Sequence, residues 1–416
     1  MEINLQRMLN DLTTIVRYTR TPHNGCTRFS YSVEDRQARD YLLRQMKKLG
    51  LSIKVDGIGN IRAKCGKEID QPSIMIGSHI DTVENGGKYD GLIGVLTALE
   101  IIRVLKEKKI TLRRPIELII FAEEEGSNFG VTMLGSKVLT GKYNGEDLKS
   151  IKNGSGNSVY DVAKDFGLTV DLIEQDIIRE DEVDAMIELH IEQGAVLENQ
   201  NKSIGIVQAI AGMKTFKITL EGDSNHAGTT PMDLRQDPLA AAATIIAHIK
   251  QVAKTTALPT TVATVGKISC QPNMSNVIPQ KVEFFVDVRD VESKGVDLIT
   301  KELMEKVNAV ATEDKLQSEV ELIGASDPIK LSSSIVHKIE ETASTQGYNY
   351  IKMNSGAVHD AAMMTSVADV GMIFIPSMGG KSHSPDEYTK EEDIKWGGDL
   401  LLHVVNNLAA KTQEAY

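Results

Sequence analysis

The chain has 416 residues, with 46 Lys+Arg against 58 Asp+Glu, a net charge of −12, and 41% hydrophobic residues. That is a globular composition with room for two or three domains at roughly 100–200 residues each. It argues against a basic surface that neutralises nucleic-acid phosphates or anionic lipid headgroups.

The opening segment, MEINLQRMLNDLTTIVRYTR, carries acidic residues early and no unbroken apolar core before a small-residue cleavage site. It predicts a polar-faced helix, with neither signal peptide nor anchor. No stretch reaches the roughly 18 apolar residues that cross a bilayer. Cys26, Cys65 and Cys270 are odd in number and lack CxxC spacing, so neither a disulfide framework nor a thiolate zinc site is expected. A soluble cytoplasmic protein follows, with no membrane and no nucleic-acid partner.

Further along, Ser73–Gly77 (SIMIG), Ile116–Ala122 (IELIIFA) and Ala185–Leu189 (AMIEL) read as buried strands. Between the first two, Gly91–Glu107 repeats Leu92, Val95, Leu96, Leu99, Ile102 and Leu105 at helical spacing. The unit is βαβ-like, with polar clusters directly after each strand, where open α/β sheets bind ligands. Around Ile210 the pattern changes. Met213–Glu221 alternates as a half-exposed strand, Asp237–Lys254 is an alanine-rich amphipathic helix, and Thr261–Ile268 and Lys281–Val288 are strands. A helix at about Val296–Val310 and a strand at Ser318–Ile323 complete a self-contained α+β module. Past Asp327 the first pattern resumes, with a helix near Ser333–Ser344, a strand Gly371–Ile375 and a closing helix Glu391–Leu408. The expected architecture is α/β: a discontinuous domain, residues 1–211 and 328–416, interrupted by a smaller domain of four strands and two helices, residues 212–327.

Three of the nine histidines stand in unusual company: His79 in GSHIDTVENGGKYDG, His190 in IELHIEQG and His383 in GGKSHSPDE. A single His so placed is more often a satisfied loop or core residue, but here three such residues lie near strand ends among carboxylates. His79 and Asp81 form an H-x-D pair on one side of an extended segment, so Asp81 can accept the second ring N–H of His79 and fix its tautomer. Asp90 precedes the apolar helix and is suited either to cap it or to hold a ligand. Glu123, Glu124 and Glu125 end a buried strand instead of extending a charged helix. Crowded carboxylates repel unless a cation neutralises them or one is protonated. Imidazole and carboxylate ligands suit zinc, manganese or cobalt, and a pair of such cations activates water. One carboxylate must stay free as the base, and spacing does not decide between Glu124 and Glu125.

The segments GSHIDTVENGGKYDG, AEEEGSNFG, ELHIEQG, NHAGTTPM, SNVIPQKVEFFVDVRD, SGAVHDA and IFIPSMGGKSHSPDE occur in order along the chain. In sequence and spacing they resemble the amidase/hydantoinase/carbamoylase branch of the dinuclear-zinc metallopeptidases. That branch contains N-carbamoyl-L-amino-acid hydrolases, allantoate amidohydrolases and β-ureidopropionases, and the resemblance covers essentially the whole chain.

It implies a dinuclear-metal hydrolase domain with a central mixed sheet flanked by helices, plus an inserted dimerisation or lid domain. It also implies two divalent cations, one held by His79, Asp90 and His190 and the other by Asp90, Glu125 and His383. Glu124 matches the general base, and Asp81 the carboxylate behind His79. His226 matches a histidine that stabilises the developing oxyanion, Asn276 and Arg289 match residues that bind a substrate carboxylate, Gln193 matches a polar substrate contact, and Gly356 and Ala357 belong to a pocket-lining loop. Apart from the resemblance, Arg289 reads as a surface ion pair with Asp287 or Asp290. His359 and Asp360 receive no role. Members often carry Arg at the place of Asn128 and a small residue at that of Val358. The expected activity is hydrolysis of the ureido C–N bond of an N-carbamoyl-L-amino acid by a homodimer. The alternatives are allantoate or a β-ureido acid as substrate, an aminoacylase or dipeptidase, or a non-catalytic binding protein.

Overall fold

The computed structural model describes residues 1–410, in two compact units. The first comprises Met1–Gln208, Leu331–Met353 and the segment from His359 onward. The second comprises Ala209–Lys330 and Asn354–Val358. In chain order the strands are β1 (Ser52–Val55), β2 (Ile61–Cys65), β3 (Ser73–His79), β4 (Ile116–Phe121), β5 (Val183–Ile191), β6 (Ile204–Ile210), β7 (Gly212–Glu221), β8 (Val262–Gln271), β9 (Lys281–Asp290), β10 (Gln317–Ser326), β11 (Ile329–Lys330), β12 (Tyr350–Ser355) and β13 (Asp369–Ile375).

The first unit is built on a sheet ordered β1-β2-β4-β3-β5-β13-β6. It is mixed: β3 runs parallel to β4 and β5, and β13 parallel to β5, whereas β2 and β6 run antiparallel to their neighbours β4 and β13. Every residue of β3 and β4 is buried, which explains why they read as continuous apolar runs instead of alternating. The helix Leu92–Glu107 packs on β3 and β5 and is buried from Leu92 to Leu105, and Glu391–Ala409 packs on β13. Full burial of a Leu, Ile or Val stabilises by about 1.5–3 kcal/mol each, so these helices tie the sheet down strongly.

The expected strands are present with shifted ends. β3 continues to His79 and β5 to Ile191, so His79 and His190 belong to the strands themselves. β1, β2, β6, β12 and the helix Val33–Lys48 are additional. The apolar content of β1 and of this helix is too low to stand out: β1 reads SIKV, with three of its four residues exposed.

The second unit contains the four-stranded antiparallel sheet β10-β7-β9-β8 and the helices Pro238–Thr255 and Ser293–Glu313. Along β9, exposure alternates strictly, and Val282, Phe284, Val286 and Val288 point into the core. They meet Ile245 and Ile249 of one helix and Ile299, Leu303 and Val307 of the other. Asp237 caps the first of these helices by accepting the N–H groups of Leu239 and Ala240, with Pro238 at its first position.

Candidate metal centre

Parallel pairing sets the centre in the first unit. His79 is in register with Phe121, the last residue of β4, so the run Ala122–Glu125 begins beside it. On the other side, Ile76 is paired with Ile187. His79 and His190 each lie three residues further along, and their rings stack with centroids 5.9 Å apart.

Asp90 faces both rings. Its Oδ1 is 3.4 Å from His79 Nε2 and 3.3 Å from His190 Nε2, and its Oδ2 is 3.5 Å from His383 Nε2. His383 Nε2 is also 3.3 Å from Glu125 Oε2, and Glu124 Oε2 lies 3.7 Å from His79 Nε2. Asp90 does not act as the helix cap: Gly91 takes that position, without a side-chain capping bond. A side chain at Gly91 is excluded on two counts. Its φ is +61°, and a Cβ would stand 2.4 Å from the His79 ring.

The backbone fixes the imidazoles. His79 Nδ1 donates to the Asp81 carbonyl at 3.0 Å, and His190 Nδ1 donates to the Ile191 carbonyl at 2.9 Å. In the neutral form each ring so tied turns the lone pair of Nε2 toward Asp90, and the Nε2 of His190 also accepts the Gly91 N–H at 3.2 Å. One expectation is corrected here: the Asp81 carboxylate does not take the His79 ring proton. It lies 3.8 Å away and instead accepts the N–H groups of Glu124 (3.3 Å) and Glu125 (3.1 Å). The bend that leads from β3 into the loop brings the Asp81 carbonyl closer to the ring than its side chain. Asp81 thereby anchors the carboxylate loop.

The electrostatics are those of a cation site. Burial raises Glu124 well above the ordinary carboxylate range, with Glu125, Asp360 and Asp81 adding to the effect against the opposing pull of His79. Burial and Asp90 push Glu125 up to about 8. The hydrogen bond to Asp90 raises His383 to about 9 against the effect of burial. Burial opposes ionisation of Asp90, but His190, His383 and His79 outweigh it and hold its pKa well below the usual range. Among the described residues, neither Lys nor Arg pairs with Asp90, Glu124 or Glu125. Imidazole lone pairs and carboxylate oxygens aimed at the same space fit divalent cations of the zinc, manganese or cobalt type. Among the described residues, four combinations bring their ligand atoms within 4.8 Å of one another: His79, Asp90 and His190; Asp90, Glu125 and His383; His79, Glu124 and Glu125; and Glu188, His190 and His359.

Other polar groups surround them. Gln193 Nε2 donates to Asp90 Oδ2 at 2.7 Å and approaches His383 Nε2 at 3.3 Å. Glu188, two residues before His190 and hence on its side of the strand, accepts the Ser78 hydroxyl at 2.6 Å. The ring of His359 sits edge-on to His190, with centroids 4.6 Å apart, and Asp360 accepts the Ser136 hydroxyl. Glu123 turns away from the centre and accepts the N–H groups of Asn128 and Phe129 at 2.8 and 3.1 Å. The Asn128 side chain is tied to the Ser30 carbonyl at 3.1 Å.

In the second unit, His226 pairs in an isolated bridge with Val277, and Ala227 N–H donates to the Asn276 carbonyl at 3.0 Å, so His226 and Asn276 are neighbours. His226 Nδ1 accepts the Gly228 N–H at 3.0 Å, which leaves the proton on an exposed Nε2. Arg289 pairs with Asp287 at 2.7 Å, as a strand-end ion pair would, and also donates to the Gly356 carbonyl at 3.0 Å. Gly356 and Ala357 are thereby joined to Arg289, in a loop closed by the Ser355 hydroxyl donating to the Ala357 carbonyl.

Known proteins match this chain over almost its whole length. The model of Peptidase family M20/M25/M40 matches residues 75–407. An N-carbamoyl-L-amino acid amidohydrolase of Geobacillus stearothermophilus is 36% identical, over 97% of this chain and 98% of its own. An allantoate amidohydrolase of Bacillus subtilis is 35% identical, over 95% of each. Among solved structures, an amidase of the hydantoinase/carbamoylase family from Burkholderia multivorans superposes with a TM-score of 0.92 at 32% identity, covering 99% of both chains.

Proposed function

The chain belongs to Peptidase family M20/M25/M40, and from that premise we propose that it is a metal-dependent amidohydrolase cleaving the ureido C–N bond of an N-carbamoyl-L-amino acid. One water is consumed, and amino acid, ammonia and carbon dioxide are released. The observation that carries the reading is the meeting of three histidine Nε2 atoms on the two oxygens of Asp90, with Glu124 beside them.

In this reading His79, Asp90 and His190 hold one divalent cation, and Asp90, Glu125 and His383 the other. Such cations polarise a carbonyl and lower the pKa of water. Glu124 takes the proton of the attacking water and delivers it to the departing nitrogen, a task that suits a carboxylate whose buried position raises its basicity. His226, with its Nε2–H exposed, donates to the oxygen on which charge develops. Asn276 and Arg289 receive the substrate carboxylate, for which the planar guanidinium offers two parallel donors, and Gly356 and Ala357 line the pocket beside them. Gln193 supplies a further polar contact.

Replacing His226 with Ala is expected to lower kcat by about 10²–10³-fold, the usual cost of one oxyanion donor, with cobalt binding unchanged. Steady-state ammonia release and equilibrium dialysis check the two halves of that statement.

Allantoate offers the same kind of ureido C–N bond to the residues of the centre, and relatives named for the two substrates differ by one percentage point in identity. Ammonia release from N-carbamoyl-L-methionine and from allantoate therefore tests the substrate. A higher kcat/KM on allantoate replaces the first substrate with the second, and hydrolysis of N-acetyl amino acids or peptides in preference to both replaces the ureido reading.

A homodimer and a cytoplasmic location belong to the same proposal. β8 is an edge of the second unit's sheet and exposes Val262 and Ile268, which favours pairing with a second copy. Sedimentation velocity tests it. All three cysteines are free, in keeping with a reducing compartment, and no described helix is long and apolar enough to cross a membrane.

A further inference from the structure

Glu387 is buried, takes no part in any of the candidate ligand combinations, and lies four residues after His383 in the same loop. Its Oε1 accepts two consecutive backbone N–H groups, those of Tyr89 at 2.8 Å and Asp90 at 3.1 Å. Its Oε2 accepts the hydroxyl of Ser382 at 3.1 Å, and that hydroxyl also lies 2.9 Å from Asp90 Oδ2. The rings of Tyr89 and Tyr388 meet edge-on with centroids 6.1 Å apart, closing the other side of the contact. Gly87 leaves the space for this arrangement, since a Cβ there would lie 1.9–2.3 Å from the carboxyl atoms of Glu387. The loop that carries Asp90 and the loop that carries His383, 293 positions apart in sequence, are thus fastened through one carboxylate.

We infer that Glu387 is a positioning residue which holds Asp90 and His383 at the separation that lets both face one divalent cation. The inference rests on the reading of Asp90 and His383 as cation ligands. It does not require Glu387 to touch cation or substrate. Two backbone donors fix a carboxylate's orientation more firmly than one, and groups that orient metal ligands typically contribute about 10–100-fold to metal affinity. Gln in place of Glu387 keeps an oxygen for the two N–H groups, whereas Ala keeps nothing.

The test is titration of metal-free protein with Co²⁺, following the visible ligand-field absorption and the affinity, for the parent, Glu387→Ala, Glu387→Gln, Gly87→Ala and Asp90→Asn. Glu387→Ala is expected to bind Co²⁺ about 10–100-fold more weakly with a shifted spectrum, and Glu387→Gln to recover most of both. If Glu387→Ala fails to fold, Gly87→Ala provides the same reading, because it displaces the carboxylate while every ligand stays in the chain. Cobalt binding and spectrum like the parent's in folded Glu387→Ala or Gly87→Ala, alongside loss of binding in Asp90→Asn, would overturn the inference and leave the metal-centre reading standing. Unchanged binding in Asp90→Asn itself would overturn that reading.

Discussion

Glu124→Gln is expected to lower kcat on N-carbamoyl-L-methionine by about 10²–10⁴-fold while cation content stays at the parent level. Glutamine matches glutamate in size and can still accept a hydrogen bond, so packing around this buried side chain is retained. What it loses is the ability to take and return a proton. The prediction discriminates between two uses of the carboxylate, because His79, Glu124 and Glu125 could also hold a cation among themselves. Were Glu124 a ligand, the substitution would strip metal together with activity. Elemental analysis of dialysed protein, run beside the kinetics, separates these outcomes. Retained metal with lost turnover is the expected one.

Asp90→Asn carries the second large effect. The substitution removes the charge from a group whose two oxygens face His79, His190 and His383 at 3.3–3.5 Å. Removing one partner from a buried charge set costs about 3–5 kcal/mol, which corresponds to about 10²–10⁴-fold in cation affinity. In the proposed arrangement both cation sites share this residue, so both are expected to weaken together. Activity should return only partly at high cation concentration, because the amide supplies one neutral oxygen where the carboxylate supplies two charged ones. Equilibrium dialysis at several cation concentrations gives the two affinities, and loss of one with the other intact would show that Asp90 serves a single site.

The sequence and the structure differ in informative places. His79 and His190 were legible because each sits in or beside an apolar strand, and residue type at a strand's carboxyl end is a physical signal. Asp90 was legible as a residue of interest but not as a ligand rather than a cap. That distinction depends on Gly91 taking the cap position with φ +61°. Spacing left Glu124 and Glu125 undivided; the resemblance made Glu124 the base and Glu125 the ligand, and the structure puts them 3.7 Å from His79 and 3.3 Å from His383 respectively. Asp81 was read as the acceptor of the His79 proton because alternation puts both on one side of a strand, but the chain leaves the sheet at His79 and alternation ends there. Glu188 and Glu387 escaped notice for a common reason. Each accepts backbone or hydroxyl protons from distant segments, and backbone amides leave no mark on a sequence.

The fold followed the same division. The inserted α+β unit was legible because β7 and β9 are covered on one face and alternate accordingly. The buried strands at the centre were legible as apolar runs. β12 was not, since YIKMNS carries few residues that distinguish a strand from a loop, whereas β6, IGIVQAI, has the apolar β-branched content of a strand and was passed over.

The central claim is that ureido hydrolysis depends on divalent cations bound at this centre. The measurement that tests it most directly is ammonia release from N-carbamoyl-L-methionine by protein dialysed against a chelator and then supplied with manganese, cobalt or zinc, with Glu124→Gln in parallel. The account predicts no release from the dialysed protein, recovery with at least one cation, and no recovery for Glu124→Gln. Release that survives complete removal of the cations, or that is equal in the parent and Glu124→Gln, would contradict it.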